Sequence, residues 1–160
     1  MIRERPAQGP LVEPMGPGDL SAIVEIERVS FKTPWGESVF QEESGREWAH
    51  IWVLRAEAGG PALGFINFWL VRDEIHILNV AVLPDERRKG YAAEMLQHTL
   101  TFAWKHHVRY LTLEVRRSNA GAIKLYKAFD FKPIGIRPNY YSDDREDAIV
   151  MMLTLGPAGS

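Results

Sequence analysis

The sequence predicts one mixed α/β domain over residues 1–160, with loose tails at 1–10 and 156–160. The length of 160 residues suits a single domain with a sizeable core, and 46% hydrophobic with 25% charged residues are ordinary globular values. About seven strand-like and about four helix-like segments follow one another along the chain. No internal repeat, low-complexity tract or interdomain linker interrupts them.

The N-terminal part of the chain predicts a short strand and two helices. Leu11 to Met15 can form the strand, which a Gly-Pro-Gly turn closes. Asp19 is a suitable N-cap for a helix that continues to about Ser30. After a Pro-containing break, Glu37 to Ser44 predicts a second, shorter helix.

The middle of the chain predicts a hairpin and then a central strand. Ala49 to Glu57 and Ala62 to Arg72 are strand-like, and the segment Ala58-Gly59-Gly60-Pro61 between them is a hairpin signal. The apolar run Ile75 to Leu83 follows and ends at Pro84, which cannot donate to a sheet ladder. This run predicts the central strand of the domain.

A charged loop and an amphipathic helix follow the central strand. The loop runs from Asp85 to Lys89 and ends at Gly90, and helical spacing extends from Tyr91 to about His106. Such a junction predicts an anion site, because free helix N–H groups and the helix dipole face the end of the strand. Neither a P-loop nor a Rossmann fingerprint is present. The alternative interpretation is a solvated loop before an ordinary helix.

The C-terminal part predicts a strand, a helix and two further strands. Tyr110 to Val115 alternates apolar and polar residues, as expected of a strand with one buried face. Ser118 or Asn119 can cap the next helix. Phe131 to Ile136 and Ala148 to Leu155 predict the last two strands.

Charge and residue usage exclude several classes of function. A net charge of −2 gives no general attraction to nucleic acid or to anionic membranes. Because the chain has no cysteine, it cannot form a disulfide, a thiolate zinc site or a cysteine nucleophile. The histidines lack ligand spacing, so no metal site is predicted. With no signal-peptide core and no apolar run of membrane-spanning length, we expect a soluble, cytoplasmic domain.

Three spaced motifs resemble those of the GNAT N-acetyltransferase family. The pattern Arg87-x-x-Gly90-x-Ala92 is similar to the family's pyrophosphate loop. Leu113–Arg116 (LEVR), Ser118–Ala120 and then Ala122-x-x-x-Tyr126 resemble its LEVR…SNxxAxxLY segment. The match is dense from about residue 79 to residue 152 and thinner before it.

The ending resembles the RimI branch, which acetylates protein N-termini, notably that of ribosomal protein S18. Arg137–Tyr141 and Arg145–Met151 carry this likeness, and Phe31…Pro34-Trp35 is similar to the branch's motif after the first helix. Asp130 departs from the glycine that usually precedes the penultimate strand. The loop Ser142–Asp144 looks shorter than is usual, which leaves the exact peptide preference open.

The resemblance implies a GNAT-type fold with a central mixed, largely antiparallel sheet of about seven strands flanked by about four helices. It also implies acetyl-CoA as cosubstrate, with a bulge near Asn79 that opens the central strand to receive it. The residues implied in binding acetyl-CoA are Val80, Ala81, Val82, Arg87, Arg88, Lys89, Gly90, Tyr91, Ala92, Ala93 and Asn119.

Two side chains are implied in catalysis, with Glu114 as the base and Tyr126 as the acid that protonates the leaving thiolate. The plain alternatives are a surface salt bridge for Glu114 and a core aromatic for Tyr126. A carboxylate base must have its pKa raised by partial burial or act through a water. The residues expected at the acceptor side are Trp35, Asn119, Tyr140 and Tyr141. The two tyrosines could equally pack against the sheet.

The resulting hypothesis is a RimI-like enzyme that acetylates a protein N-terminus directly from acetyl-CoA, with a ribosomal protein as partner. It predicts no membrane and no nucleic-acid partner. Acetylation of a small amine or an antibiotic is a second hypothesis. A non-catalytic acetyl-CoA-binding module is a third, which the presence of both Glu114 and Tyr126 disfavours.

Overall fold

The structure, a computed structural model, describes residues 9–156, so most of both predicted tails lies outside the described residues. The strands are β1 (Leu11–Pro14), β2 (Ala49–Arg55), β3 (Ala62–Val71), β4 (Glu74–Val82), β5 (Tyr110–Arg116), β6 (Lys132–Arg137) and β7 (Ala148–Thr154). The helices are α1 (Leu20–Ser30), α2 (Glu37–Ser44), α3 (Tyr91–Lys105) and α4 (Ala120–Ala128). A short 3-10 turn, Pro84–Glu86, leads from β4 towards α3 and was not predicted.

All seven strands form one sheet in the order β1-β2-β3-β4-β5-β7-β6. The pair β4–β5 is parallel, and the other neighbouring pairs are antiparallel. A parallel pair needs a crossover, and α3 provides it. The predicted mixed, largely antiparallel sheet is therefore confirmed.

Two hydrophobic cores lie on opposite faces of this sheet. Val53 belongs to the core that α1 and α2 cover, while Leu54 belongs to the core that α3 and α4 cover. Phe65 and Ile66 divide in the same way on β3. Neighbouring residues of a strand point to opposite faces of the sheet, so β2 and β3 are buried on both faces. This explains why their sequences are nearly continuous apolar runs.

The start of α1 differs from the prediction in one detail. Asp19 stands at the N-cap position, but its side chain makes no capping hydrogen bond to the first turn of α1. Instead it accepts hydrogen bonds from the Gly16 backbone N–H and from the Arg55 guanidinium on β2. Ion pairing with Arg55 keeps the pKa of Asp19 below its ordinary value. Asp19 thus anchors α1 to the sheet.

The end of α4 adopts the conformation that its sequence tolerates poorly. Asp130 has φ +70°, the left-handed region that glycine enters most easily. Its backbone N–H bonds to the Lys127 carbonyl, and that of Phe131 bonds to the Tyr126 carbonyl. These bonds satisfy the last carbonyls of α4 and set the chain on its course into β6.

None of the helices within residues 9–156 combines the length and the apolar character that crossing a membrane requires.

Candidate active site

Two cavities meet beside the carboxyl end of β4. The larger one has a volume of about 580 Å³ and lies at the N-terminus of α3; we call it the helix-terminus cavity. The second, of about 430 Å³, is the tyrosine groove, which Tyr126, Tyr140 and Tyr141 help to line. The residues shared by both cavities are Ser30, Phe31, Val80, Asn119, Ala122 and Tyr126.

A bulge in β4 opens the helix-terminus cavity. Asn79 stands opposite Asn67 of β3, but Ile77 stands opposite Phe68, so Leu78 is the extra residue. The pairing of β4 with β5 ends at Ile77, and the two strands diverge beyond it. As a result, Val80, Ala81 and Val82 have no backbone partner on the β5 side, and all three line the cavity. This is the bulge expected near Asn79.

The loop before α3 provides the cationic wall of this cavity. Gly90 is the N-cap of α3 with φ +80°, and no side chain within residues 9–156 caps the first turn. The free N–H groups there can bind an anion. The Nε of Arg87 donates to the Val82 carbonyl at 3.1 Å, which ties the loop to the strand end. Lys89 does not line the cavity, and its ammonium pairs with Glu86 at 2.8 Å.

The remaining predicted cofactor residues do line the helix-terminus cavity. They are Arg88, Tyr91, Ala92, Ala93 and Asn119. Asn119 also caps α4, since its side-chain oxygen accepts from the Ala122 N–H at 3.2 Å. Both roles considered for Asn119 are therefore compatible with its position.

Glu114 lies in the tyrosine groove and forms a pair that sequence reasoning missed. Its Oε1 is 2.8 Å from Nε2 of His76, and its side chain is 10% exposed. This hydrogen bond holds the pKa of Glu114 below its ordinary value, outweighing the opposite effect of burial. The pKa of Glu114 is therefore lowered rather than raised, so of the two alternatives considered for this base the one that acts through a water stays open, and Glu114 is ionised at neutral pH. His76 and Glu114 meet because β4 and β5 are parallel neighbours, which local patterns do not reveal.

Tyr126 stands where the two cavities join. It is 8% exposed, and its ring is 5.7 Å from that of Phe131. It therefore combines core packing with a place in both cavities. Burial raises the pKa of the Tyr126 phenol, so this group keeps its proton at neutral pH.

The acceptor residues predicted from the sequence all line the tyrosine groove: Trp35, Asn119, Tyr140 and Tyr141. The rings of Tyr140 and Tyr141 pack edge to face at 5.0 Å. Burial raises the pKa of Tyr141 to about 12, against the opposing effect of Arg116, whose guanidinium lies 4.0 Å from the ring.

Comparison with known proteins decides the family. The model of the Acetyltransferase (GNAT) family matches residues 20–131. This chain belongs to the GNAT acetyltransferase family. It is 37% identical over 139 residues to the [ribosomal protein bS18]-alanine N-acetyltransferase of Escherichia coli K12, covering 86% of this chain and 92% of the relative.

Solved GNAT structures have the same fold. The crystal structure of the ribosomal-protein-S18-alanine N-acetyltransferase from Escherichia coli has a TM-score of 0.82 and 36% identity, and the match covers 91% of this chain and 93% of that one. Arabidopsis thaliana NAA60 in complex with acetyl-CoA has a TM-score of 0.82 at 19% identity, and the match covers 91% and 98% of the two chains. The chain is thus an N-acetyltransferase by family, and its GNAT neighbours include proteins that bind acetyl-CoA.

The part of the chain that the structure describes contains no cluster of potential metal ligands. No group of three or more His, Asp or Glu residues is arranged there to hold an ion.

Proposed function

We propose that this protein is a RimI-like N-terminal acetyltransferase that transfers acetyl from acetyl-CoA to the N-terminal alanine of ribosomal protein bS18, in the cytoplasm. The observation that carries the proposal is the position of Tyr126 at the junction of two cavities, with Glu114 in the second. This arrangement allows a donor and an acceptor to be bound together.

The helix-terminus cavity is suited to acetyl-CoA. The uncapped first turn of α3 and the Arg87–Arg88 side of the loop favour the pyrophosphate. The open edge of Val80–Val82 offers backbone N–H and C=O groups to the pantetheine amides, and Val80 reaches the tyrosine groove. Acetyl-CoA supplies the thioester, and the chain orients it towards the groove.

Glu114 and Tyr126 supply the proton transfers. The acceptor amine must lose a proton before it attacks the thioester carbonyl, and an ionised Glu114 can take that proton directly or through a water. Because Glu114 is a weak base, it is best matched to an ammonium group that loses its proton easily. Tyr126 keeps its proton and can donate it, or a hydrogen bond, to the departing thiolate.

An N-terminal amine fits this weak base better than lysine does. The α-amine has a pKa of about 7.7–8.0 against about 10.4 for lysine, a difference of about 2.5 units. At pH 7 the neutral form of lysine therefore costs about 3.4 kcal/mol more. This difference favours a protein N-terminus as the acceptor.

The proposal is tested with an acceptor panel analysed by mass spectrometry. The panel contains a peptide with the bS18 N-terminus, the same peptide with other first residues, an N-blocked peptide with one lysine, and small amines. We expect acetylation at the α-amine of the Ala-initiated peptide. Preferential acetylation of a small amine or of lysine would contradict the proposal, and the absence of turnover with every acceptor would indicate a binding module.

A further inference from the structure

Glu27 of α1 is a buried carboxylate that the proposed chemistry does not use. The residue is 2% exposed, and burial raises its pKa against the effect of its two hydrogen bonds. Its Oε2 accepts from the Trp35 backbone N–H at 2.9 Å, and its Oε1 accepts from Nδ2 of Asn79 at 3.0 Å. Among the ion pairs of residues 9–156, none involves Glu27.

The two hydrogen bonds join parts of the molecule that are distant in sequence. Trp35 lies in the segment between α1 and α2, and its ring packs 5.4 Å from Phe40 of α2. Asn79 follows the Leu78 bulge, where β4 leaves β5. Glu27 therefore connects one wall of the tyrosine groove to the strand at the junction of the two cavities. All three hydrogen-bonded residues line the groove.

A buried carboxylate destabilises the fold unless its two oxygens accept hydrogen bonds. An uncompensated buried charge is unfavourable, whereas a carboxylate can accept from two N–H donors at once. The Glu27 carboxylate faces two such donors, one from the backbone and one from a side chain. Hydrogen bonds to a charged group are among the stronger ones, so the pair can hold the Trp35 segment in one position.

We propose that Glu27 is a positioning residue that holds the Trp35 segment against the β4 bulge and thereby sets the affinity for the acceptor peptide. The inference rests on the proposed function, because it concerns the acceptor side of the same site. Glu27 acts through Trp35 and Asn79 and is not a catalytic residue.

A pair of variants separates geometry from charge. Glu27→Met retains much of the side-chain volume but accepts no hydrogen bond from Trp35 or Asn79. Glu27→Gln can keep both bonds, since its oxygen can accept from the Trp35 N–H. Its amide can donate to Oδ1 of Asn79 once the Asn79 amide turns over, since that oxygen accepts no hydrogen bond from the described part of the chain. Glu25→Met is the matched control, because Glu25 lies on the exposed side of the same helix.

Steady-state kinetics with the bS18 peptide and calorimetry with acetyl-CoA give the readout. We expect Glu27→Met to raise the peptide KM about tenfold or more, the effect of losing charged hydrogen bonds. Acetyl-CoA affinity should stay within about twofold. Glu27→Gln should return the peptide KM to within about threefold of the unmodified protein, and Glu25→Met should leave it unchanged.

Three results would overturn the inference. These are a Gln variant as poor as the Met variant, an unchanged peptide KM in Glu27→Met, or equal loss of acetyl-CoA and peptide binding. If Glu27→Met does not fold, Asn79→Leu removes one of the two bonds, and an unchanged peptide KM there would also contradict the inference. Failure of the proposed function is distinguishable, because the unmodified protein and Glu25→Met would then be inactive too.

Discussion

The pair of His76 and Glu114 sets the charge of the proposed base. The hydrogen bond from His76 keeps the pKa of Glu114 below its ordinary value, so the carboxylate is ionised through the neutral range. A base with a raised pKa would be stronger but would be protonated more often. In the proposed reaction, the lowered pKa of Glu114 therefore favours acceptors that are partly neutral near pH 8, such as α-amines.

Removing His76 should raise the pKa of Glu114. In His76→Phe the burial of Glu114 persists but its hydrogen-bond partner is lost, so NMR titration of the Glu114 carboxyl should move to higher pH. A carboxyl group whose pKa is lower in the folded than in the unfolded state stabilises the fold at pH values above its unfolded-state pKa. This contribution is lost as the pH falls through the folded-state pKa. The free energy of unfolding that the unmodified protein gains over His76→Phe from this hydrogen bond should therefore shrink below about pH 4.5, the ordinary pKa of a glutamate. An unchanged titration would show that His76 does not control Glu114.

Tyr126 should contribute to turnover and little to cosubstrate binding. General acid catalysis contributes about 10²–10⁴-fold, so Tyr126→Phe should lower kcat within that range. The ring stays in place against Phe131, and calorimetry should give nearly the original acetyl-CoA affinity. A kcat within a factor of about two of the unmodified protein would restrict Tyr126 to core packing.

At the residue scale, sequence reasoning finds the residues that lie in local motifs. Glu114 and Tyr126 belong to patterned segments, and the structure brings both to the tyrosine groove. His76 was missed because its partner lies 38 residues away, across a parallel strand pair. Glu27 did leave a signal, since it shares the apolar stripe of α1 with Ile23, but the reason for a charge there needed the fold.

At the element scale, the start of α3 is organised by the backbone of Gly90. Its φ of +80° turns the loop into the helix, and among residues 9–156 an added Cβ would meet no atom within 4 Å apart from its chain neighbours and the helix's own backbone. Gly90→Ala should therefore cost about 1–2 kcal/mol through backbone strain alone. It should also weaken acetyl-CoA binding, because the first turn of α3 lines the helix-terminus cavity.

A second glycine provides the control for that prediction. Gly59, in the β2–β3 turn, has φ +78° and equally open surroundings, but it does not line the helix-terminus cavity. Thermal unfolding should show a similar loss of stability in Gly59→Ala, while calorimetry should show unchanged acetyl-CoA binding. Equal binding by both variants would remove the α3 terminus from the cosubstrate site.

Several cations hold the loop between β6 and β7, and Arg116 makes the most ion pairs with it. Arg116 pairs with Asp143, Asp144 and Glu146, and its guanidinium lies over Tyr141. Arg116→Gln should release the loop and raise the peptide KM severalfold without changing acetyl-CoA affinity. Hydrogen exchange of residues 138–147 should increase in parallel.

Arg117→Gln is the matched control for the loop prediction. Arg117 is mostly exposed and pairs with Asp147 alone among the described residues. Exposed pairs of this kind contribute about 0–1 kcal/mol, so neither the peptide KM nor the exchange rate should change. The same KM in both variants would mean that the loop does not contribute to the acceptor site.

Element boundaries followed closely from turn residues and periodicity, whereas local irregularities did not. The 3-10 turn after β4 is closed by local backbone hydrogen bonds, from the Glu86 N–H to the Leu83 carbonyl and from the Arg87 N–H to the Pro84 carbonyl, which residue periodicity does not reveal. The β4 bulge was expected from family resemblance, and the structure places its extra residue at Leu78. Local sequence does not specify such a position, because register is set between strands.

At the scale of the whole molecule, the sheet separates two cores and brings two cavities together. The covered faces of β2 and β3 could be anticipated from their long apolar runs, but the cavities depend on where β4 and β5 diverge. The central claim is that acetyl-CoA and the acceptor peptide occupy the two cavities at the same time.

Initial-rate kinetics with both substrates varied test this claim most directly. Simultaneous occupation predicts intersecting lines in double-reciprocal plots, since acetyl passes from acetyl-CoA to the amine within one ternary complex. Mass spectrometry should then find no acetylated enzyme after incubation with acetyl-CoA alone. Parallel lines, together with an acetylated enzyme that forms without acceptor, would contradict the account.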